Sequence, residues 1–303
     1  MNARSSKLQF MACIGSAALV LCANVAFAEK IEKRAPADPR GEVEIVNVAG
    51  AVRVTGWDRA EVDVRGDLDT AVERLEFVTT GNHTTIRVVL PRNRSRSGGS
   101  DLLVRIPEFS TLRVNTVRAD QTIEGVRGVQ RLQAVSGSVQ TEAAGEEIQA
   151  KTISGDVRIT STNDAKPAIH TVTTASGDIR LVNIAGEIEV ETVSGDMKID
   201  AGELARTRLR TTNGDIDIAA RLPQHARVDA ETINGAVTLQ VIGKVDAEFT
   251  LHTFNGDIES CYEGEAVRRR EHGPGRDLNF SRGSGSARVT IRTLNGGVEV
   301  CGK

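Results

Sequence analysis

Aromatic residues are scarce in this chain, with one Trp, one Tyr and seven Phe among 303 residues. Sugar-processing clefts draw on aromatic faces as flat apolar platforms, so this small supply weighs against such a site. Beyond residue 28 no apolar run approaches the 18 or more residues that a membrane-spanning helix requires. A net charge of −3, with no basic excess, excludes general nucleic-acid binding. Histidines are few, and His83, His170, His225, His252 and His272 stand at no ligand spacing. Neither a nucleophile elbow, a phosphate loop nor a zinc signature is present. A Ser, His and Asp triad is defined by geometry that a sequence does not supply. No catalytic, cofactor-binding or metal-ligating residue is therefore assigned, and no cofactor is expected.

The first 28 residues read as a signal peptide. Arg4 and Lys7 open it, an apolar run follows from about Phe10 to Ala23, and Ala26-Phe27-Ala28 fits a small-x-small cleavage site. Cys22 follows Leu21 rather than the small residue that lipidation signals want. Cleavage places the mature chain, beginning at Glu29, in the periplasm or outside the cell.

What the sequence has in abundance is a repeat. Ser136-Gly137, Ser154-Gly155, Ser176-Gly177, Ser194-Gly195, Asn213-Gly214, Asn234-Gly235, Asn255-Gly256 and Asn295-Gly296 recur about once per twenty residues over much of their span. Two residues before the Ser or Asn stands Thr152, Thr174, Thr192, Thr211, Thr232, Thr253 or Thr293, with Ala134 the exception, and the next residue is usually apolar. Three and five residues after it come aliphatic pairs such as Val157/Ile159, Ile179/Leu181, Met197/Ile199 and Ile216/Ile218. Such alternation marks strands with one buried face. Each copy is strand, glycine corner, strand, and a unit of this kind buries its apolar face only by stacking on its neighbours, about 4.8 Å apart. The predicted fold is all-β, a β-helix-like solenoid of roughly 20-residue rungs preceded by a small β-rich N-terminal region. Its structural turns lie at Gly137, Gly155, Gly177, Gly195, Gly214, Gly235, Gly256 and Gly296, where glycine admits positive φ.

The expected organisation is a signal peptide at 1–28, a lead-in at 29–40, a β-rich N-terminal region at 41–110 and solenoid repeats at 111–303, with a charged insertion at 262–286. Within 41–110 the strands are Val43–Val48, Ala51–Thr55, Glu61–Arg65, Leu75–Thr80 and Thr85–Leu90, with Gly81-Asn82 as a hairpin turn and at most one helical turn in 68–75. Leu103 is expected on the way into the repeats, and Trp57 in a small core. Pro91–Ser100, carrying Arg92, Arg94 and Arg96, reads as a solvated basic loop, with contact to lipid phosphates as the alternative. The N-terminal strands and the insertion would cap the stack's edges.

Two cysteines survive cleavage, Cys261 and Cys301, each six residues after its repeat Asn. In adjacent rungs they fall within disulfide reach, and an exported protein permits the bond. A full rung formed by 262–285 between them would prevent it.

Aspartate follows five of the corner glycines, at Asp156, Asp178, Asp196, Asp215 and Asp257, while Ser138, Ala236 and Gly297 replace it elsewhere. The preferred reading is that each aspartate caps its own turn. The alternative is calcium binding between rungs, although Gly-rich calcium rolls repeat their ligands far more densely. His170 occupies the repeat position of Ile148 and Ile188 and is read as a core-edge residue.

The stretch from Val48 to Val54, then Gly56-Trp57-Asp58-Arg59 and Glu61-Val62-Asp63-Val64, followed by the Val/Ile-Ser-Gly-Asp corners, resembles the bacterial putative-adhesin family of exported β-strand repeat proteins. The resemblance covers most of residues 41–303. It implies a β-helix-like solenoid at the cell envelope, no known enzymatic activity and no active-site residues to carry over. The expected function is a non-enzymatic exported scaffold binding an unknown envelope or extracellular partner through outward residues such as Arg158, Arg180, Lys198 and Asp217. A β-helix polysaccharide-active enzyme and a calcium-binding repeat protein are the rival readings.

Overall fold

Parallel pairing between repeats dominates the computed structural model, which describes residues 29–91, 99–162, 166–262, 267–268 and 274–302. The expected signal peptide, Arg92, Arg94 and Arg96 of the basic loop, and His272 lie outside the described residues. The chain is all-β, with no helix among the described residues.

Each corner is flanked by two strands, and each strand pairs with its counterpart in the next repeat; all strands belong to one continuous sheet, which the corners fold into a first and a second sheet. On the first sheet Val114, Leu132, Ala150, Val172, Val190, Leu209, Ala230, Ile291 and Leu251 lie side by side in register, all buried. The second sheet matches it with Val157, Ile179, Met197, Ile216, Val237, Val298 and Ile258. Like side chains touch like across the core, and full burial of each aliphatic contributes roughly 1.5–3 kcal/mol.

Stacking order departs from chain order at both ends. Ala287–Asn295 pairs with Arg227–Asn234 on one side and with Ala247–Asn255 on the other. The last rung in sequence is thus inserted, and the rung before it becomes the end of the stack. Arg276–Arg282 runs antiparallel along the outer edge of Ala247–Asn255, so part of the charged insertion forms an edge strand rather than an excursion. Phe280 on that strand stacks on Phe249 at 4.6 Å between ring centroids, with Tyr262 at 6.2 Å from Phe280. An antiparallel strand bearing an aromatic plug leaves less open edge for another chain to extend.

At the other end Glu42–Trp57 is one continuous strand. It pairs with Thr111–Glu124 on one edge, and with His83–Val89 and Ser100–Pro107 on the other, all parallel. The stack therefore continues past residue 110 into the region expected to precede it. Antiparallel Arg74–Thr80, Glu61–Leu68 and Glu29–Pro36 finish that end. Most of the expected lead-in forms the outermost strand, Glu29–Pro36, and Gly81-Asn82 joins a hairpin in which Thr80 faces His83. Residues 69–72 make a turn, closed by the Val72 N–H donating to the Asp69 carbonyl at 2.9 Å.

One expectation about a side chain is corrected. Trp57 lies outside the core, with the guanidinium carbons of Arg105 and Arg59 at 4.8 and 5.2 Å from its ring and its indole N–H donating to the Glu61 carbonyl. Leu103, on the way into the repeats, faces solvent at 51% exposed, because Leu102 and Val104 take the inward positions.

Candidate binding surface

The corner column joins the two sheets and carries four kinds of residue in file. Glycine comes first, and its reason is closer packing than a turn alone demands. A Cβ built on Gly155, Gly177, Gly195, Gly214 or Gly235 meets the carbonyl oxygen of the preceding corner glycine at 2.0–2.2 Å. Their φ values of 143–156° add a second penalty for any other residue. Gly256 and Gly296 make the same approach, to Gly296 and Gly235, and Gly137 approaches Ala119.

Aspartate forms a ladder along the stack. The Asp156 carboxylate accepts from the N–H of Asp178 at 2.9 Å, Asp178 from Asp196 at 3.0 Å, Asp196 from Asp215 at 2.9 Å, and Asp215 from Ala236 at 2.7 Å. Asp120 serves Ser138 in the same way at 2.8 Å. Each aspartate caps the next rung's corner rather than its own, which corrects the sequence reading. Asp257 stands on the terminal rung, where no further corner follows, and takes the Arg276 guanidinium instead. The described residues contain no group of three His, Cys, Asp or Glu side chains able to hold a metal ion.

Asparagine makes a third file. Asn234 donates to Asn213 at 2.8 Å, Asn295 to Asn234 at 2.8 Å and Asn255 to Asn295 at 2.9 Å, following the stacking order rather than the chain order. Buried threonines line the inner side, and Thr232, Thr293 and Thr253 donate to the carbonyls of Gly214, Gly235 and Gly296.

The fourth file is apolar and faces water. Val117, Val135, Ile153, Val193, Ile233, Leu294 and Phe254 are 43–57% exposed, one on each of their rungs, forming a ridge beside the corner that only Ala175 and Thr212 interrupt. Exposed apolar groups repeated at one register position make this ridge a candidate interaction surface. Strand parity carried the signal: a buried threonine, or Ala134 in one copy, obliges its neighbour at the corner to point outward.

Of the sequence-predicted outward residues, Arg158, Arg180, Lys198 and Asp217 stand in one column on four consecutive rungs, all exposed. Cys261 and Cys301 are bonded, with a Cα separation of 4.9 Å. The inserted rung makes them neighbours, since Ser260 and Val300 are partners in register. His83 lies near Glu42 and Glu44, His252 bonds Asp277 at 2.7 Å, and His225 sits in a turn. His170 is fully inside, 2% exposed between Ile148 and Ile188, and burial pulls its pKa down to about 4.

Residues 43–301, which hold the strand-corner-strand repeats, match the family model described as Toastrack DUF4097. The chain belongs to the Toastrack DUF4097 family. The family is a domain of unknown function, so membership brings no activity with it. No curated protein sequence matches the chain. Among solved structures, one from Parabacteroides distasonis described as a putative lipid binding protein aligns at TM-score 0.49 and 12% identity, covering 89% of this chain and 96% of that one. A putative adhesin from Bacteroides fragilis aligns at TM-score 0.44 and 11% identity, covering 90% and 97%. A putative adhesin from Parabacteroides distasonis aligns at TM-score 0.40 and 12% identity, covering 91% and 98%. No helix among the described residues is long and apolar enough to cross a membrane.

Proposed function

We propose that this Toastrack chain is a non-enzymatic, exported β-solenoid that binds a protein partner at the cell envelope or outside the cell, in the manner of an adhesin or an envelope-associated scaffold. The observation that carries the reading is the corner ridge, where Val135, Ile153, Val193, Ile233, Leu294 and Phe254 present exposed apolar surface along the stack. Inward side chains are consumed by the core, so binding falls to the outward columns. A disulfide between Cys261 and Cys301 suits an oxidising compartment, in line with the expected leader. The corner aspartates spend a carboxylate oxygen on backbone N–H groups, which supports a structural role for them rather than calcium ligation.

Capture of partners from envelope extract tests the proposal. The parent protein should retain a partner that the Ile153→Ser, Val193→Ser, Ile233→Ser triple variant loses, with both proteins melting at similar temperatures. Equal capture by both would refute the ridge as the binding surface, and turnover of an envelope glycan by the parent would refute the non-enzymatic reading.

A further inference from the structure

On the outer face of the first sheet, charges mostly alternate from rung to rung. Glu189, Arg208 and Asp229 follow one another in register, as do Glu191, Arg210, Glu231 and Arg292. Arg208 lies 3.6 Å from Glu189, and Arg210 lies 3.7 and 3.8 Å from Glu191 and Glu231. One column breaks the pattern. Arg206 pairs in register with Arg227, and Arg227 with Arg288, so three guanidinium groups stand on three successive rungs. Like charges directly opposite one another destabilise a sheet. Arg288 has Glu248 at 3.3 Å, whereas Arg206 and Arg227 have no carboxylate within 4.0 Å among the described residues.

Local geometry singles out the same column. The pairing register shifts at Gly186 and Glu187 against Leu204 and Arg206, a bulge of the kind that re-aims side chains. His225, two residues before Arg227, holds a left-handed φ of 63°, a conformation that costs a non-glycine residue free energy and clusters at functional sites. A concavity of about 420 Å³ lies on one side, where Arg206, Arg208 and Arg227 share the lining with Glu187, Glu189 and Asp229, and one of about 130 Å³ bounded by His225, Arg227 and Arg288 lies on the other, with no carboxylate in its lining.

We infer that the Arg206–Arg227–Arg288 column is a binding site for a linear acidic polysaccharide, whose carboxylate or sulfate groups neutralise the stacked guanidiniums. Guanidinium groups fork onto planar oxyanions, and their spacing along the stack, about 4.8 Å, suits a polymer with one acid per sugar. Charge alone suits an anionic bilayer equally, and the side chains around the column favour the polymer. The outward residues of these three rungs, from Arg206 to Arg210, Arg227 to Glu231 and Arg288 to Arg292, offer no aliphatic group to enter a lipid layer. The apolar ridge is flanked by Asp156, Asp178, Asp196 and Asp215, which lipid phosphates repel. The inference rests on the scaffold reading of the stack and adds a ligand class to it.

Titration of the full chain with polygalacturonate and dextran sulfate, with neutral dextran as the control, tests the site. The acidic polymers should bind and neutral dextran should not, with affinity falling as salt rises. Arg206→Ser with Arg227→Ser should weaken binding by about tenfold or more, while Arg53→Ser with Arg87→Ser, exposed near the other end of the stack, should leave it within about twofold. The first pair should melt no lower than the parent, since it removes like-charge repulsion, and Arg227→Gln provides a second variant that keeps a polar, hydrogen-bonding side chain without the charge. Absence of polymer binding, or equal loss in both pairs, overturns the inference. Tighter binding to phosphatidylglycerol vesicles than to either acidic polymer, lost in the Arg206/Arg227 pair, also overturns it in favour of lipid. A protein that ignores these polymers yet captures its envelope partner through the ridge refutes this site and spares the scaffold reading.

Discussion

The carbonyl oxygen of Gly177 lies 2.1 Å from the place a Cβ on residue 195 would occupy. Corner glycines are therefore required by their neighbours as well as by their own φ. Gly195→Ala should lower stability by about 3 kcal/mol and the melting temperature by roughly 5 °C or more, and Gly195→Val by more. Gly243, at φ 87° with nothing within 4 Å of its built Cβ, separates the two causes. Thermal denaturation should show Gly243→Ala costing clearly less; equal losses would mean that φ alone sets the requirement.

The aspartate ladder makes a graded prediction. Asp196→Ala deletes the acceptor for the Asp215 N–H and should cost about 1 kcal/mol, whereas Asp196→Asn keeps a carbonyl oxygen and should cost less. Calcium added to the parent should leave the melting curve unmoved. A rise of several degrees that chelator reverses would restore the calcium reading.

Removing the Cys261–Cys301 bond should loosen the terminal rung first. The bond closes a separation of 40 residues, for which chain entropy predicts about 4 kcal/mol. Hydrogen exchange of Cys261→Ser with Cys301→Ser should speed up in Ala247–Asn255 and Arg276–Arg282 before it changes around Ile148–Ser154. Uniform acceleration along the stack would argue against local loosening.

His170 makes stability depend on pH. Its pKa is about 4 when folded and 6.5 in the absence of burial. Between those values the unfolded chain takes up a proton that the folded chain refuses. Stability is therefore full above about pH 6.5 and falls as the pH drops toward 4, by on the order of 3 kcal/mol. His170→Leu, seated between Ile148 and Ile188, should flatten that part of the profile in denaturant titrations. An unchanged slope would assign the acid sensitivity to other groups.

Much of the fold was legible because its information is periodic. Alternation at Val157/Ile159 or Ile216/Ile218 sets which side chains are buried, and the recurrence of Thr-x-Ser/Asn-Gly fixes where the chain bends. Strand parity also placed Arg158, Arg180, Lys198 and Asp217 outside. The ridge at Ile153 and Val193 was encoded by the same rule, although an apolar residue beside a corner reads first as core. Trp57 went astray for that reason, since hydrophobicity alone does not give direction.

By itself the sequence determined the repeat unit, its corner chemistry and its buried face, because these follow from contacts within one rung and between identical neighbours. Tertiary structure alone decided the order of the rungs. No residue of Ala287–Asn295 announces that it will slip between Arg227–Asn234 and Ala247–Asn255, since near-equivalent rungs offer near-equivalent edges, and the choice is made by how the antiparallel Arg276–Arg282 strand turns the chain back. That choice joins Cys261 to Cys301, completes the asparagine ladder and brings Arg288 alongside Arg227.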